Sequence, residues 1–181
     1  MMILKTLPKT SIELSYLLYP LSLCTSIHIT LSAQTPSSDL IVDLLVSIPR
    51  RIAVSLDLRL DHKLLYDVFA QTQDYGLTYD EVSLYCHPYK LKEFKYVPIK
   101  GIHGGLSFYD YTLKLSQIED LLISAASLFF QNTTIDINQS VVEKANFKRV
   151  KALVFDSCTV IGGINRLPSF FQLEKLMIWD T

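Results

Sequence analysis

Residues 150–181 read VKALVFDSCTVIGGINRLPSFFQLEKLMIWDT. The stretch holds two strand-like pieces that share one internal frame. The first is Val150-x-x-Leu153-x-Phe155-x-x-Cys158-x-Val160, and the second is Leu173-x-x-Leu176-x-Ile178-x-x-Thr181. Leu153 and Leu176 hold the same place in the two copies. The step between them falls within the period of roughly 20–29 residues that marks a chain built from stacked units.

Toward the N-terminus, strand-like cores recur at Ile135–Ile137, Leu106–Phe108, Val82–Leu84, Val54–Leu56 and Ile27–Ile29. From Ile27 through Val54, Val82, Leu106 and Ile135, each step stays within that same period. Only the last step, Ile135 to Leu153, is too short, and it spans the weakly helical stretch 141–149. The place of Cys158 is taken in these units by Ser140, Tyr111, His87, Arg59 and Ser32.

The intervals carry helical periodicity. Residues 37–48 put Leu40, Ile41, Leu44, Leu45 and Ile48 on one face, behind Ser37, Ser38 and Asp39 as N-cap candidates. Residues 63–73 gather Leu64, Leu65, Val68 and Phe69. Residues 116–130 form the strongest expected helix, with Ser116 and Glu119 as a capping box, and 164–172 a shorter one containing Pro168. Alternating strands and helices predict an α/β fold with a parallel sheet.

Two architectures fit that alternation. A solenoid stacks each unit on its neighbours. An open, doubly wound sheet reverses its strand order and binds ligand at the reversal. Buried parallel strands read as near-continuous apolar runs. Here apolar residues alternate with Ser, Asp, Tyr or His, so one sheet face is expected to meet water. The expectation is a solenoid with parallel strands on an open concave face and helices outside; an open α/β sheet is the alternative.

With this frame the chain resembles a leucine-rich-repeat protein. The clear copies are Val150–Val160 and Leu173–Thr181, about a sixth of the chain. Repeats with cysteine at the place of Cys158 are similar to those of F-box-type substrate receptors. The resemblance implies that Cys158 and Thr181 bond backbone groups in the turn after each strand. It implies protein binding without catalysis. Leu7-Pro8, followed by the segment Leu14–Leu23, also resembles an F-box, which would make the chain a substrate receptor of a ubiquitin ligase. The competing reading is an irregular cap over residues 1–26 with Ile12 and Leu14 in its strand. Residues 27–181 then form about seven strand–helix units of one domain, the last incomplete. The array either ends there or continues in a longer chain.

Composition narrows the partners. Apolar residues make up 49% of the 181 and charged residues 19%, which is enough to build a packed core rather than a disordered chain. A net charge of -1 gives no global attraction to nucleic acid. Three widely spaced cysteines, Cys24, Cys86 and Cys158, do not form a disulfide framework and fit a reducing compartment, cytoplasmic or nuclear. The sequons at Asn132 and Asn138 point weakly the other way. Residues 14–33, LSYLLYPLSLCTSIHITLSA, are apolar enough to raise an export signal, but Pro20, Ser26, His28 and Thr30 interrupt them.

No residue set spells out a reaction. Cys86 and His87 are adjacent, so on a strand they point to opposite faces, and no nucleophile signature surrounds them. Cys24, Cys86, His87 and His103 lack paired-ligand spacing for zinc. The glycines at 101–105 and 162–163 read as turns, with no Lys-Ser/Thr following as a phosphate loop requires. Residues 90–100 mix four lysines with Phe94 and Tyr96, a pattern that reads as a solvated loop before a nucleic-acid site. No cofactor or metal is expected.

The repeat frame instead predicts a display face. Strand residues between and after the apolar anchors point away from the core. They include Asp57, Tyr85, Tyr109, Asp136, Asn138, Asp156 and Trp179, and no Lys or Arg. An acidic row with aromatic anchors would attract a protein or peptide, a basic one above all. The last strand is a parallel edge, which is an association hazard. Self-association through residues 173–181 is the expected outcome in sedimentation; a monodisperse monomer counts against it.

Overall fold

The structure is a computed structural model, and it describes residues 1–5, 11–32, 37–86, 92–122, 125–137, 149–162 and 173–180. It is an α/β fold dominated by an eight-stranded parallel sheet. The strands are β1 (Met2–Leu4), β2 (Ser26–Ser32), β3 (Ala53–Arg59), β4 (Tyr79–Tyr85), β6 (Ile102–Tyr109), β8 (Ser127–Gln131), β10 (Ala152–Asp156) and β12 (Lys175–Trp179). Their order in the sheet is their order in the chain. A smaller parallel sheet follows the same order with β5 (Lys92–Glu93), β7 (Tyr111–Lys114), β9 (Thr134–Asp136) and β11 (Thr159–Ile161).

Alternation in the sequence sets the faces of the large sheet. Within β3 the residues Val54, Leu56 and Leu58 are buried, while Ala53, Ser55, Asp57 and Arg59 are half-buried. The registers carry that alternation across the sheet: Leu56 meets Val82, Leu84 meets Phe108, Phe108 meets Phe130, and Phe130 meets Phe155. Phe108, Phe130 and Phe155 therefore stack, ring on ring, with centroids 5.5 Å apart at each step.

Two kinds of layer close the core. Along the first strands it is helical: α1 (Ser11–Ser22), α2 (Ser38–Ser47) and α3 (His62–Thr72). Ile41, Leu44, Val68 and Phe69 of the helices share one continuous core with Ile27, Leu56 and Val82 of the strands. The Asp61 carboxylate caps α3 by accepting from the Leu64 N–H at 3.0 Å. A short 3-10 turn follows, and Gly76, at φ 61°, ends it in the left-handed region. Along the later strands the small sheet replaces the helices. Phe94 is buried there, edge-on to Phe108 and Tyr111, while Lys92, Lys95 and Tyr96 of the same basic stretch are exposed.

The switch from helix to sheet happens at one repeated corner. The N–H groups of Cys86, Asp110, Asn132 and Ser157, each just past a strand, donate to Tyr109, Gln131, Asp156 and Trp179, the last residues of the next strands. Asp110, Asn132, Ser157 and Asp180 all have positive φ, from 48° to 62°. The chain then turns under the sheet, where Thr133 and Cys158 are buried. The Cys158 thiol sits 3.3 Å from the carbonyls of Phe130 and Asp156. The Thr133 hydroxyl is 2.9 Å from the Gln131 carbonyl and 3.4 Å from that of Phe108, donating there, and accepts from the Tyr111 N–H at 3.5 Å. Burial raises the Cys158 thiol pKa, which keeps its proton available for this role.

Several expectations are corrected. Residues 116–130 are not one helix: they hold 3-10 turns at Leu115–Gln117 and Glu119–Leu122, then strand β8. Pairing with β6 on one side and β10 on the other outweighs the helical periodicity of the segment. The Ser116/Glu119 capping box loses its helix, since Ser116 lies inside the first turn rather than ahead of it. The Gln117 side chain caps that turn by accepting from the Lys114 N–H at 2.6 Å. The short step from Ile135 to Leu153 disappears with this change. Leu128, not Ile135, is the anchor of that unit, in register with Leu106 and Leu153. Both of its steps then fall within the repeat period. The first strand is Met2–Leu4, and Ile12 and Leu14 lie in α1 rather than in a strand. Leu176 and Ile178 of β12, expected in the core, are 43% and 40% exposed. Of the glycines read as turns, Gly101 and Gly162 do have positive φ. Gly104 is instead inside β6, where a Cβ would overlap the Asp80 carbonyl oxygen. The expected helix 164–172, Leu7-Pro8, His87, Gly163 and Thr181 lie outside the described residues.

Thr133→Val keeps the shape but removes the hydroxyl, and with it the acceptor of the buried Tyr111 N–H. It should lower stability by about 1–3 kcal/mol in urea denaturation. Thr133→Cys, which copies Cys158, should recover most of that loss. An unchanged midpoint for the valine variant would remove the corner from the account.

Candidate functional site

The outward face of the large sheet is the extended surface where the fold aligns most of the expected site side chains in rows. Register places the rows across the strands. One row runs Thr30, Asp57, Ser83, Ser107, Phe129, Val154, Met177. The next, toward the C-terminal ends, contains Tyr85, Tyr109, Gln131, Asp156 and Trp179. Strands pair at about 4.8 Å, so neighbours within a row are held within contact distance of one another.

Contacts within the rows are specific. The Tyr85 and Tyr109 rings lie 4.2 Å apart and 7° from parallel. The Arg59 guanidinium covers the other face of this pair, 4.4 Å from the Tyr85 centroid. Phe129 flanks Tyr109 on the opposite side, tilted, at 5.7 Å. His28 Nε2 is 3.4 Å from Asp57 Oδ2. Asp156 accepts from the Gln131 amide at 2.7 Å and from the Ser157 hydroxyl at 3.0 Å. The Tyr85 pKa is pushed up to about 12, by burial first and then by the neighbouring Asp57 and Tyr109; Arg59 opposes the shift. Its hydroxyl is therefore a neutral donor throughout the ordinary pH range.

Of the expected site residues, Asp57, Tyr85, Tyr109, Asp156 and Trp179 share this face. Asp136 does not. It belongs to β9 of the small sheet, in register with Lys114 and Ile161. Asn138 lies outside the described residues. Phe129 and Gln131 take the places expected of these two. The signal was present: Ala125-x-x-Leu128-x-Phe130-x-x-Thr133-x-Ile135 repeats the frame of Val150–Val160 position for position. The helical periodicity of 116–130 concealed it.

The face also carries cations. Arg59 belongs to it, because β3 extends to that residue, and Lys175 of β12 pairs in register with Ala152 on the same side. Asp57 and Asp156 both have partners within the face, and Glu81, in register with Ser55 and Gly105, is exposed on it. Cys86 is buried, and among the described residues no three His, Cys, Asp or Glu side chains gather as a metal would need. Nor is any helix among them long and apolar enough to cross a membrane. The chain matches no protein-family model, no curated protein and no solved structure.

Burial raises Tyr79 and Tyr111 as well as Tyr85, so all three stay protonated in the fold after unfolded tyrosines ionise near pH ~10. The stability they hold is complete below pH ~10 and is lost as pH climbs toward the folded value. For Tyr85 that window closes at about 12. Phenolate absorbance of the folded chain should show part of the tyrosine content ionising later than in the unfolded chain, and the unfolding midpoint should fall as pH rises through this window. Simultaneous titration of every tyrosine would contradict the packing described.

Proposed function

We propose that the chain is a non-catalytic protein-binding module of leucine-rich-repeat type, and that the outward face of the large sheet is its binding surface. The observation that carries this is the sequential strand order. A doubly wound enzyme places its site where strand order reverses, and the described strands run in one direction from β1 to β12. Sequential order instead lines up equivalent side chains from successive strands over a broad, open area, which suits a macromolecular partner.

The corner supports the repeat reading. Thr133 and Cys158 hold equivalent places and bond equivalent carbonyls. This is the structural role that the repeat resemblance implies for Cys158. Positive φ recurs at the same step of four successive units. The face itself supports binding: its central residues are small, Ser83 and Ser107, and are flanked by aromatic side chains, so a partner can approach the sheet closely there.

Binders selected from a displayed peptide library on the intact chain test the proposal. Ser107→Arg places a long cation at the centre of the face. It should weaken binding more than tenfold while leaving the unfolding midpoint within about 0.5 kcal/mol, the usual range for surface changes. Binders indifferent to Ser107→Arg would locate the site elsewhere and sink this reading.

A further inference from the structure

Arg59 is the feature of the display face that internal contacts account for least. It ends β3 on the outward side, next to Ser32 in the β2 register. Its guanidinium lies over the Tyr85 ring, 4.4 Å from the centroid. Its Nε is shut off from solvent with no acceptor. Among the described residues no carboxylate lies within ion-pair distance of its terminal nitrogens. The nearest acid along the strand, Asp57, is instead within 3.4 Å of His28. The cation is held by ring packing, and its planar fork of N–H donors is left without a charged acceptor among the described residues.

The stack beside it presents little ring face to a partner. Tyr85 is covered by Arg59 on one side and by Tyr109 on the other; Tyr109 is then flanked by Phe129. Tyr85 therefore has no open ring face on which a visiting aromatic ring could lie. Side chains stand roughly upright on a sheet, so what the stack offers outward is ring edges and hydroxyls. Ring edges carry positive partial charge. The Tyr85 hydroxyl is neutral and hydrogen-bonded with Tyr109. Guanidinium and ring edges both favour an acceptor with negative charge.

Resting on the binding reading above, we infer that Arg59, Tyr85 and Tyr109 form an anion-recognition point for an Asp or Glu side chain of an extended peptide segment. The planar carboxylate matches the planar fork, which a point charge would use less well. A nucleic-acid backbone fits worse. It would bring phosphates along the whole strip, where Asp57, Glu81 and Asp156 repel them. The partner expected at this end of the face is acidic, the reverse of what the sequence suggested, because the neighbouring Asp57 lies against His28 while the guanidinium has no carboxylate partner among the described residues.

The test uses the intact chain and two displayed libraries of random dodecapeptides, one with free and one with amidated C-termini. Binders sensitive to Ser107→Arg should be enriched in one Asp or Glu. Replacing that acid by Asn or Gln should cost about 10- to 100-fold in affinity, as truncating one partner of a charge pair does. Arg59→Gln should produce the same loss and should not add to it. Arg59→Lys should recover only part. Amidation should change nothing. Circular dichroism and the unfolding midpoint of each variant confirm that it is folded. Sensitive binders without acidic enrichment, or with unchanged affinity for Arg59→Gln, overturn the inference and leave the binding face standing. Dependence on a free C-terminus, or tighter Arg59-dependent binding of a single-stranded oligonucleotide, overturns it as well. Binders insensitive to Ser107→Arg overturn both proposals.

Discussion

The structure depends on how the backbone is satisfied at the corner after each strand. A parallel strand that pairs only with its sequence neighbours must leave the sheet, turn beneath it and return one layer further on. Carbonyls at that corner are buried, and a buried carbonyl without a donor is costly. The chain answers with the N–H that follows each strand, which pairs with the last carbonyl of the next strand, and adds a side-chain donor in the next residue but one, where Thr133 and Cys158 reach carbonyls of their own strand and of the one before. The residue between strand and donor must take positive φ, which Asp and Asn tolerate better than most side chains. Ser157 has no such advantage, so its left-handed conformation is imposed by the pairing on either side of it.

That corner explains why the molecule changes character along its length. In the early units the return path is long enough for a helix of 10 or 11 residues, and α2 and α3 close the core there. In the later units the tight corner leads directly into the short strands of the small sheet, and Leu113, Ile135 and Val160 become neighbours in register. The same apolar frame thus supports two different outer layers. The phenylalanine stack from Phe108 to Phe155 runs beneath the region where the sheet layer has replaced the helices.

On the opposite face, the register that stacks the core also stacks the display residues, and this changes their chemistry. Tyrosines read singly are hot-spot anchors. In adjacent strands at one level, they spend their ring faces on each other and on Arg59. Carboxylates read singly are free charges. In place, Asp57 lies against His28, and Asp156 is held by Gln131 and Ser157. The face that remains is less acidic and more ordered than its composition implies.

By itself the sequence determined the α/β class, the inward alternation of the strands, and helices α2 and α3. Each rests on local patterning or on spacing, which a chain of 181 residues carries in plain view. Tertiary structure decided whether residues 116–130 would be helix or strand. Leu128 and Phe130 suit either, and the open place between β6 and β10 made them a strand. It moved Asp136 off the display face, since one corner earlier or later sends a residue to a different sheet. It also joined Arg59 to Tyr85, which stand a whole repeat apart in the sequence. Strand pairing sets which side chains meet, and pairing partners at that separation lie beyond the reach of any local pattern.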